Sequence, residues 1–255
     1  MTIDYLKSPM LEAEGFPLHG FTTRNGGVSQ GSYHSLNLAF EIDDRDDHVA
    51  ENLKRLKQAV DTDLPLARVK QVHGTDVVGV EDARLAQWHH PPKVEADGIV
   101  ADKDGVVAVQ TADCAPVLIA CPNTRIVAAI HAGWRGAAKG ILRKAVRRMV
   151  DLGCTASSLI VAIGPSIGYP CYEVGDEVAK ALPESADPAP KAPGKHLLDL
   201  INAVEVSLIV EGVRSDRIER IGGCTHCLSD TLFSYRREGP NTGRMLAFIA
   251  GGQTV

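Results

Sequence analysis

Between Gly105 and Ile130 the chain carries three short β-branched runs in close succession, at residues 105–110, 116–121 and 125–130. Each is bounded by turn residues, which is the signature of strands. The second and third are joined through Pro122-Asn123-Thr124, and that spacing predicts a hairpin. Any fold for this chain must therefore be organised around a β-rich centre. The same stretch is the most apolar part of the chain. Gln110, Thr111, Asp113, Pro122 and Arg125 interrupt it well short of the ~18 apolar residues that a membrane span needs.

Helical and extended patterns alternate around this centre. Residues 16–23 read as an edge strand leading into a turn at Arg24-Asn25-Gly26-Gly27. Residues 46–60 place Val49, Leu53, Leu56 and Val60 on one face behind an acidic start, the pattern of an amphipathic helix. Residues 68–72 and 76–80 read as short strands flanking His73-Gly74. Residues 137–152 separate Ile141, Leu142, Ala145, Val146, Met149 and Val150 from Arg143, Lys144, Arg147 and Arg148, which predicts a surface helix stopped by Gly153. A buried strand follows at 159–163, then a loop at 183–196 with Pro183, Pro188, Pro190 and Pro193, a helix over 197–210 and a final strand at 244–250. No repeat or linker divides the chain, so residues 1–255 are expected to form a single α+β domain.

With 27 Lys and Arg against 32 Asp and Glu, the net charge of −5 implies no general affinity for nucleic acid. The first 14 residues carry Asp4, Lys7, Glu12 and Glu14 and lack the basic-then-apolar layout of a signal peptide, so a cytoplasmic protein is expected. In that compartment the six cysteines are thiols. Cys224-Thr225-His226-Cys227 is a single Cys-x-x-Cys with no second ligand pair nearby in sequence. It is read as buried thiols, with a redox pair as the alternative. His89-His90 is expected in an exposed loop, and Trp88 and Trp134 in the core.

Three segments share one layout. Gln71-Val72-His73-Gly74 follows a strand, Thr111-Ala112-Asp113-Cys114-Ala115-Pro116 lies between two strands, and His131-Ala132-Gly133-Trp134-Arg135-Gly136 links a strand to a helix. Each sets a metal-capable side chain at a strand end among small residues, which allow close approach to the backbone. Two imidazoles and a thiolate would leave a tetrahedral zinc one open position, the pattern of a catalytic site. Any one of these residues alone fits a packed, hydrogen-bonded side chain better than a ligand, and separations of 41 and 17 residues are no local motif. Copper shares a His2Cys ligand set, but Met1, Met10, Met149 and Met245 lie outside these motifs and no His-x-His pair occurs, so copper is disfavoured. Cys114 could instead act as a nucleophile with His131 or His73 as base.

These motifs resemble a known family. Thr22-Thr23-Arg24-Asn25-Gly26-Gly27-Val28-Ser29, Ser35-Leu36-Asn37-Leu38, Gln71-Val72-His73-Gly74, Ala112-Asp113-Cys114 and His131-Ala132-Gly133-Trp134-Arg135-Gly136 are similar to the signature of the multicopper-oxidase-like laccase-domain proteins, described as multifunctional purine nucleoside phosphorylases. Gly164-Pro165-Ser166-Ile167, Cys171-Tyr172-Glu173-Val174 and Phe233-Ser234-Tyr235-Arg236-Arg237 extend the likeness over residues 22–249. The resemblance implies a four-layer α/β/β/α sandwich with mixed sheets, and zinc on His73, Cys114 and His131. It further implies phosphorolysis of adenosine, inosine, guanosine and methylthioadenosine, with deamination of adenosine. A copper polyphenol oxidase and a Cys–His amidase or peptidoglycan-editing factor are the alternatives. The proline-rich loop at 183–196 looks longer than the family pattern.

Phosphorolysis needs an anion site, a hold on ribose and a proton donor or acceptor. Arg24 and Arg135, then Arg236 and Arg237, are candidate phosphate clamps, because guanidinium forks match phosphate oxygens. Asn37 is a candidate ribose or phosphate donor, and Glu173 a candidate general acid/base. Deamination additionally needs a carboxylate shuttle, for which Asp113 and Glu173 are the choices. The expected partners are purine nucleosides and phosphate, with a monomer or weak homodimer as the working assembly.

Overall fold

The hairpin expected at 116–130 forms the middle of a six-stranded mixed sheet. In the computed structural model, which describes residues 3–40, 42–82, 88, 90–187 and 192–252, that sheet runs β12 (Ile218–Arg220), β9 (Ile160–Ile163), β7 (Ala115–Ala120), β8 (Val127–Ala132), β5 (Gly98–Ala101) and β4 (Val77–Gly79). The outer pairs β12–β9 and β4–β5 are parallel, and the inner pairs are antiparallel. A five-stranded sheet runs β1 (Tyr5–Leu6), β2 (His19–Thr22), β13 (Met245–Gly251), β6 (Gly105–Thr111) and β3 (Leu66–Arg68), antiparallel except for β3–β6. A small ribbon pairs β10 (Glu173–Val174) with β11 (His196–Leu197). The helices are α1 (Pro9–Ala13), α2 (Asp46–Ala59), α3 (Trp134–Ala138), α4 (Ile141–Asp151), α5 (Asp176–Ala181), α6 (Leu200–Val210) and α7 (Tyr235–Glu238).

The central strands are apolar throughout because both their faces are covered. Along β7, Val117 and Ile119 pack under Leu142, Val146 and Met149 of α4 and Val204 and Leu208 of α6, while Leu118 and Ala120 face the other sheet. On β6, Val107 and Val109 meet that same interior, whereas Val106 and Ala108 lie under Val49, Leu53 and Leu56 of α2. Alternate side chains of one strand thus serve two different cores, the period-two consequence of strand geometry. The result is the α/β/β/α layering, with helices on both outer faces of two mixed sheets. Full burial of each such Leu, Ile or Val stabilises the fold by about 1.5–3 kcal/mol.

Several boundaries differ from the sequence reading. The strand expected at an edge, β2, lies between β1 and β13. The helix expected over 137–152 is two helices, since Gly140 adopts φ +82° and breaks the ladder between α3 and α4. The helix expected from 197 begins at Leu200, where the Asp199 carboxylate accepts the Asn202 N–H at 2.9 Å; Leu197 belongs to β11. The strand expected at 68–72 ends at Arg68. Strand β5 was not anticipated from the sequence. Of the proline-rich loop, residues 188–191 lie outside the described residues, as does His89. Trp88 is buried, with its indole N–H donated to Leu64 O.

Candidate metal centre and substrate cleft

The β-hairpin sets the first two donors. Pro116 pairs with His131 in the β7–β8 register, so Cys114, just before β7, lies beside the end of β8 that carries His131. His73 arrives from the loop between β3 and β4 with φ +57°, and Asp113 has φ +98°. Neither is glycine, so both hold uncommon backbone conformations that the surroundings must enforce. The donor atoms of His73, Cys114 and His131 all lie within 4.8 Å of one another. The two imidazole rings meet edge to face at 5.0 Å.

Asp97, unremarked in the sequence, organises this cluster. Fully buried before β5, its Oδ1 accepts from His131 Nδ1 at 2.8 Å and from the His73 N–H at 3.0 Å. Its Oδ2 accepts the Gly74 N–H at 2.6 Å and the Val72 N–H at 3.3 Å. One carboxylate therefore fixes the ring of one histidine and the backbone of the other. Burial opposes its ionisation, but these donors hold its pKa below the ordinary carboxylate value. With Nδ1 committed to Asp97, His131 keeps Nε2 for the cluster, the carboxylate–histidine arrangement common behind bound metals.

Charge completes the site. Burial would raise the Cys114 thiol, yet His131 and His73 bring it down to about 6. Burial would lower His131, yet Cys114 and Asp97 raise it to about 9. Without a metal the pair is a thiolate and an imidazolium near neutral pH. Donors around a tetrahedral zinc are separated by about 3.3–3.8 Å, given Zn–N near 2.0 Å and Zn–S near 2.3 Å. The observed cluster needs only side-chain adjustment to reach that spacing, so the residues fit a metal ion. Gly133 leaves the room: a Cβ there would sit 3.0 Å from Cys114 Sγ and 3.4 Å from His73 Cδ2.

The cluster lies on the wall of a cleft of about 520 Å³, within the usual size of small-molecule sites. Three arginines line it, Arg135, Arg236 and Arg244. Arg135 lies over the Trp134 ring at 4.3 Å, Arg236 over Tyr172 at 5.3 Å and Arg244 over Tyr235 at 5.8 Å. Backbone carbonyls hold Arg236, through Glu173 O, and Arg244, through Thr242 O and Gly243 O. No ion pair with a carboxylate engages any of the three among the described residues. Asp113 lines the cleft, but its two oxygens accept from Thr225 Oγ1 at 2.5 Å and from the Arg236 N–H at 2.6 Å.

Other sequence candidates are placed elsewhere. Arg24 does not line the cleft; it pairs with Glu238 at 2.8 Å and donates to His34 O and Ser229 O. Asn37 is fully buried and ties Ala39, Asp44 and the Arg244 N–H together. Arg237 donates to the Thr225, His226 and Leu232 carbonyls. Glu173 is exposed on β10 and pairs with Lys195 at 2.9 Å, away from the cleft lining. Sequence reasoning missed Asp97 and Arg244, and passed over Tyr172 and Tyr235 inside motifs it quoted. The Ala-Asp-Gly step at 96–98 before an apolar run was the available signal for Asp97.

Known proteins resemble this chain over nearly its whole length. The family model described as multi-copper polyphenol oxidoreductase laccase matches residues 18–251. Purine nucleoside phosphorylase YlmD of Geobacillus stearothermophilus is 38% identical over 248 residues, covering 90% of this chain and 88% of that protein. Purine nucleoside phosphorylase YfiH of Escherichia coli is 37% identical over 235 residues, covering 89% and 91%. The crystal structure of YlmD from Geobacillus stearothermophilus superposes with a TM-score of 0.85 over 93% of this chain and 94% of that one. The chain accordingly belongs to the multi-copper polyphenol oxidoreductase laccase family, alongside the YlmD and YfiH proteins.

Proposed function

We propose that this protein is a zinc-dependent purine nucleoside phosphorylase acting on adenosine, inosine, guanosine and methylthioadenosine, with adenosine deamination as a second activity. The observation that carries this reading is the convergence of three guanidiniums, none paired with a carboxylate among the described residues, and three aromatic rings on the cleft that holds the His2Cys cluster. Guanidinium forks suit phosphate oxygens, and Trp134, Tyr172 and Tyr235 offer faces for a purine or ribose. The names of relatives at this level of identity point to the same reaction.

In this reading Arg135, Arg236 and Arg244 bind phosphate and bring one of its oxygens to C1′ of the ribose. The new C1′–O bond forms as the glycosidic C–N bond breaks, its electron pair passing to the base, which then takes up a proton. The products are free purine and ribose 1-phosphate, or 5-methylthioribose 1-phosphate where the substrate is methylthioadenosine. His73, Cys114 and His131 would hold the zinc ion, whose contribution when bound is Lewis acidity beside the cleft. Asp97 keeps the His131 ring oriented. For deamination, Asp113 is better placed than Glu173 as the carboxylate that moves a proton, since Asp113 alone of the two lines the cleft.

The apolar interior shared by the two sheets supports reading residues 1–255 as one domain. No helix among the described residues is long and apolar enough to cross a membrane. A cytoplasmic monomer or weak homodimer, without nucleic-acid partners, completes the proposal. Incubation with adenosine, with and without phosphate, tests it. Adenine and ribose 1-phosphate formed only with phosphate is the expected result, with a smaller phosphate-independent yield of inosine. Oxidation of phenols by the copper-loaded protein, with no nucleoside turnover, would overturn the assignment.

A further inference from the structure

A second set of soft donors gathers outside the cleft. Cys171 Sγ and Cys227 Sγ lie 3.4 Å apart, though 56 residues separate them in sequence. The donor atoms of Cys171, His226 and Cys227 all fall within 4.8 Å of one another. Cys224 supplies a third sulfur beside this set but outside its mutual 4.8 Å spacing; it accepts the Gly168 N–H at 3.1 Å and interacts with both other thiols. The tertiary structure thus provides what the lone Cys-x-x-Cys lacked, and the expectation of buried thiols there is corrected: Cys227 is exposed and Cys224 only half-buried.

The backbone holds these donors in place. Cys171 ends a one-turn helix, Tyr169–Cys171, and the other three residues occupy the loop between β12 and α7. Ser166 and Cys224 form an isolated bridge, and the Thr225 N–H donates to Ser166 O at 3.0 Å. The Cys227 and Leu228 N–H groups both reach Cys224 O, closing a turn that brings the two cysteines of the motif together. Arg237 binds the His226 carbonyl from behind.

The donor set favours a metal over a disulfide. Two sulfurs on one tetrahedral zinc are about 3.8 Å apart, given Zn–S near 2.3 Å. The observed 3.4 Å is a few tenths of an ångström from that. A disulfide would draw the sulfurs to about 2.05 Å, and would leave the imidazole and the third thiol unused. Cys-x-x-Cys is also the usual spacing of structural zinc sites.

We propose that Cys171, His226 and Cys227 bind a second zinc-class divalent cation, with the neighbouring Cys224 turning in as fourth ligand. Four protein ligands leave no open position, so the site is structural. It pins the loop bearing Thr225, whose hydroxyl holds Asp113, to the turn preceding Tyr172; Asp113 and Tyr172 both line the cleft.

Zinc counting on protein reconstituted with zinc alone and then desalted tests this. The wild type should carry two equivalents, Cys114→Ser one, and Cys171→Ala/Cys227→Ala one. Cobalt loading of Cys114→Ser gives a readout that does not depend on the double variant folding. A thiolate-to-cobalt charge-transfer band should persist there, because the remaining site still supplies sulfur ligands. A Cys114→Ser protein that holds neither zinc nor cobalt would overturn the proposal. So would an unreduced wild-type mass lower by two hydrogens with no second equivalent of metal, which would show a Cys171–Cys227 disulfide instead.

Discussion

Asp97→Asn is the most informative single change at the cleft, because it keeps the shape of the side chain and alters only charge and donor pattern. The native carboxylate accepts four hydrogen bonds, from His131 Nδ1 and from the N–H groups of Val72, His73 and Gly74. An amide can accept at one end only. If its NH2 faces the backbone, it opposes the Gly74 and Val72 donors. If it faces His131, it forces Nδ1 to become the acceptor and places the ring proton on Nε2, the atom needed for a metal. Either way a part-buried backbone N–H loses its partner, at up to about 1–3 kcal/mol. Changes of this kind behind a metal-ligating histidine typically weaken metal affinity about 10–100-fold, equivalent to about 1.4–2.7 kcal/mol. Competition with a chromophoric chelator measures the zinc affinity, and thermal melting of the metal-free variant measures the structural part. We expect weaker zinc binding and a melting temperature lower by several degrees, at about 2–4 °C per kcal/mol for a chain of this size. Zinc affinity within twofold of wild type, with an unchanged melting temperature, would refute the view that Asp97 sets the histidine geometry.

Gly133→Ala should weaken zinc binding more than it lowers metal-free stability: φ of −77° tolerates alanine, but the new Cβ would press on Cys114 Sγ and hold it off its ligating position. Chelator competition and melting curves on one preparation separate these effects. Arg135→Ala should raise the KM for phosphate about 10–100-fold, the range for losing a charge-assisted hydrogen bond, with little change for the nucleoside. Arg24→Ala, which breaks the pair with Glu238, should lower stability and leave the phosphate KM in place; steady-state kinetics at varied phosphate decides between them. Zinc binding should also depend on pH. His131 is raised to about 9 and Cys114 lowered to about 6, so between about pH 7 and 9 the metal must displace one proton, that of the His131 imidazolium. Apparent affinity should therefore climb about tenfold per pH unit across that window and level off above it. A flat profile from pH 7 to 9 would show that His131 is already neutral there.

Much of the architecture was legible because it follows from local patterning. The apolar spacing of Val49, Leu53 and Leu56 and the turn at Pro122-Asn123-Thr124 depend on near neighbours, and α2 and the β7–β8 hairpin formed as expected. Boundaries were less legible where a single residue overrides a pattern. Gly140 splits a run that is helical by periodicity, and Asp199 delays a helix that hydrophobicity alone would start earlier. The arginines divided on the same principle. Arg24 and Arg135 are alike in sequence, each in a short glycine-containing motif. A carboxylate from Glu238, 214 residues away, occupies the first, and none among the described residues reaches the second.

Family motifs and residue chemistry were enough to nominate His73, Cys114 and His131, because few side chains can bind a soft or borderline cation. Their convergence, the Asp97 carboxylate behind them, the conversion of Asn37 and Arg24 into internal braces and the arrival of Cys171 beside Cys227 were decided only by the tertiary structure. The reason is physical. A donor's identity is a property of one side chain, whereas its availability depends on which charges and hydrogen-bond partners the fold brings within about 4 Å, and those partners lie dozens to hundreds of residues away along the chain.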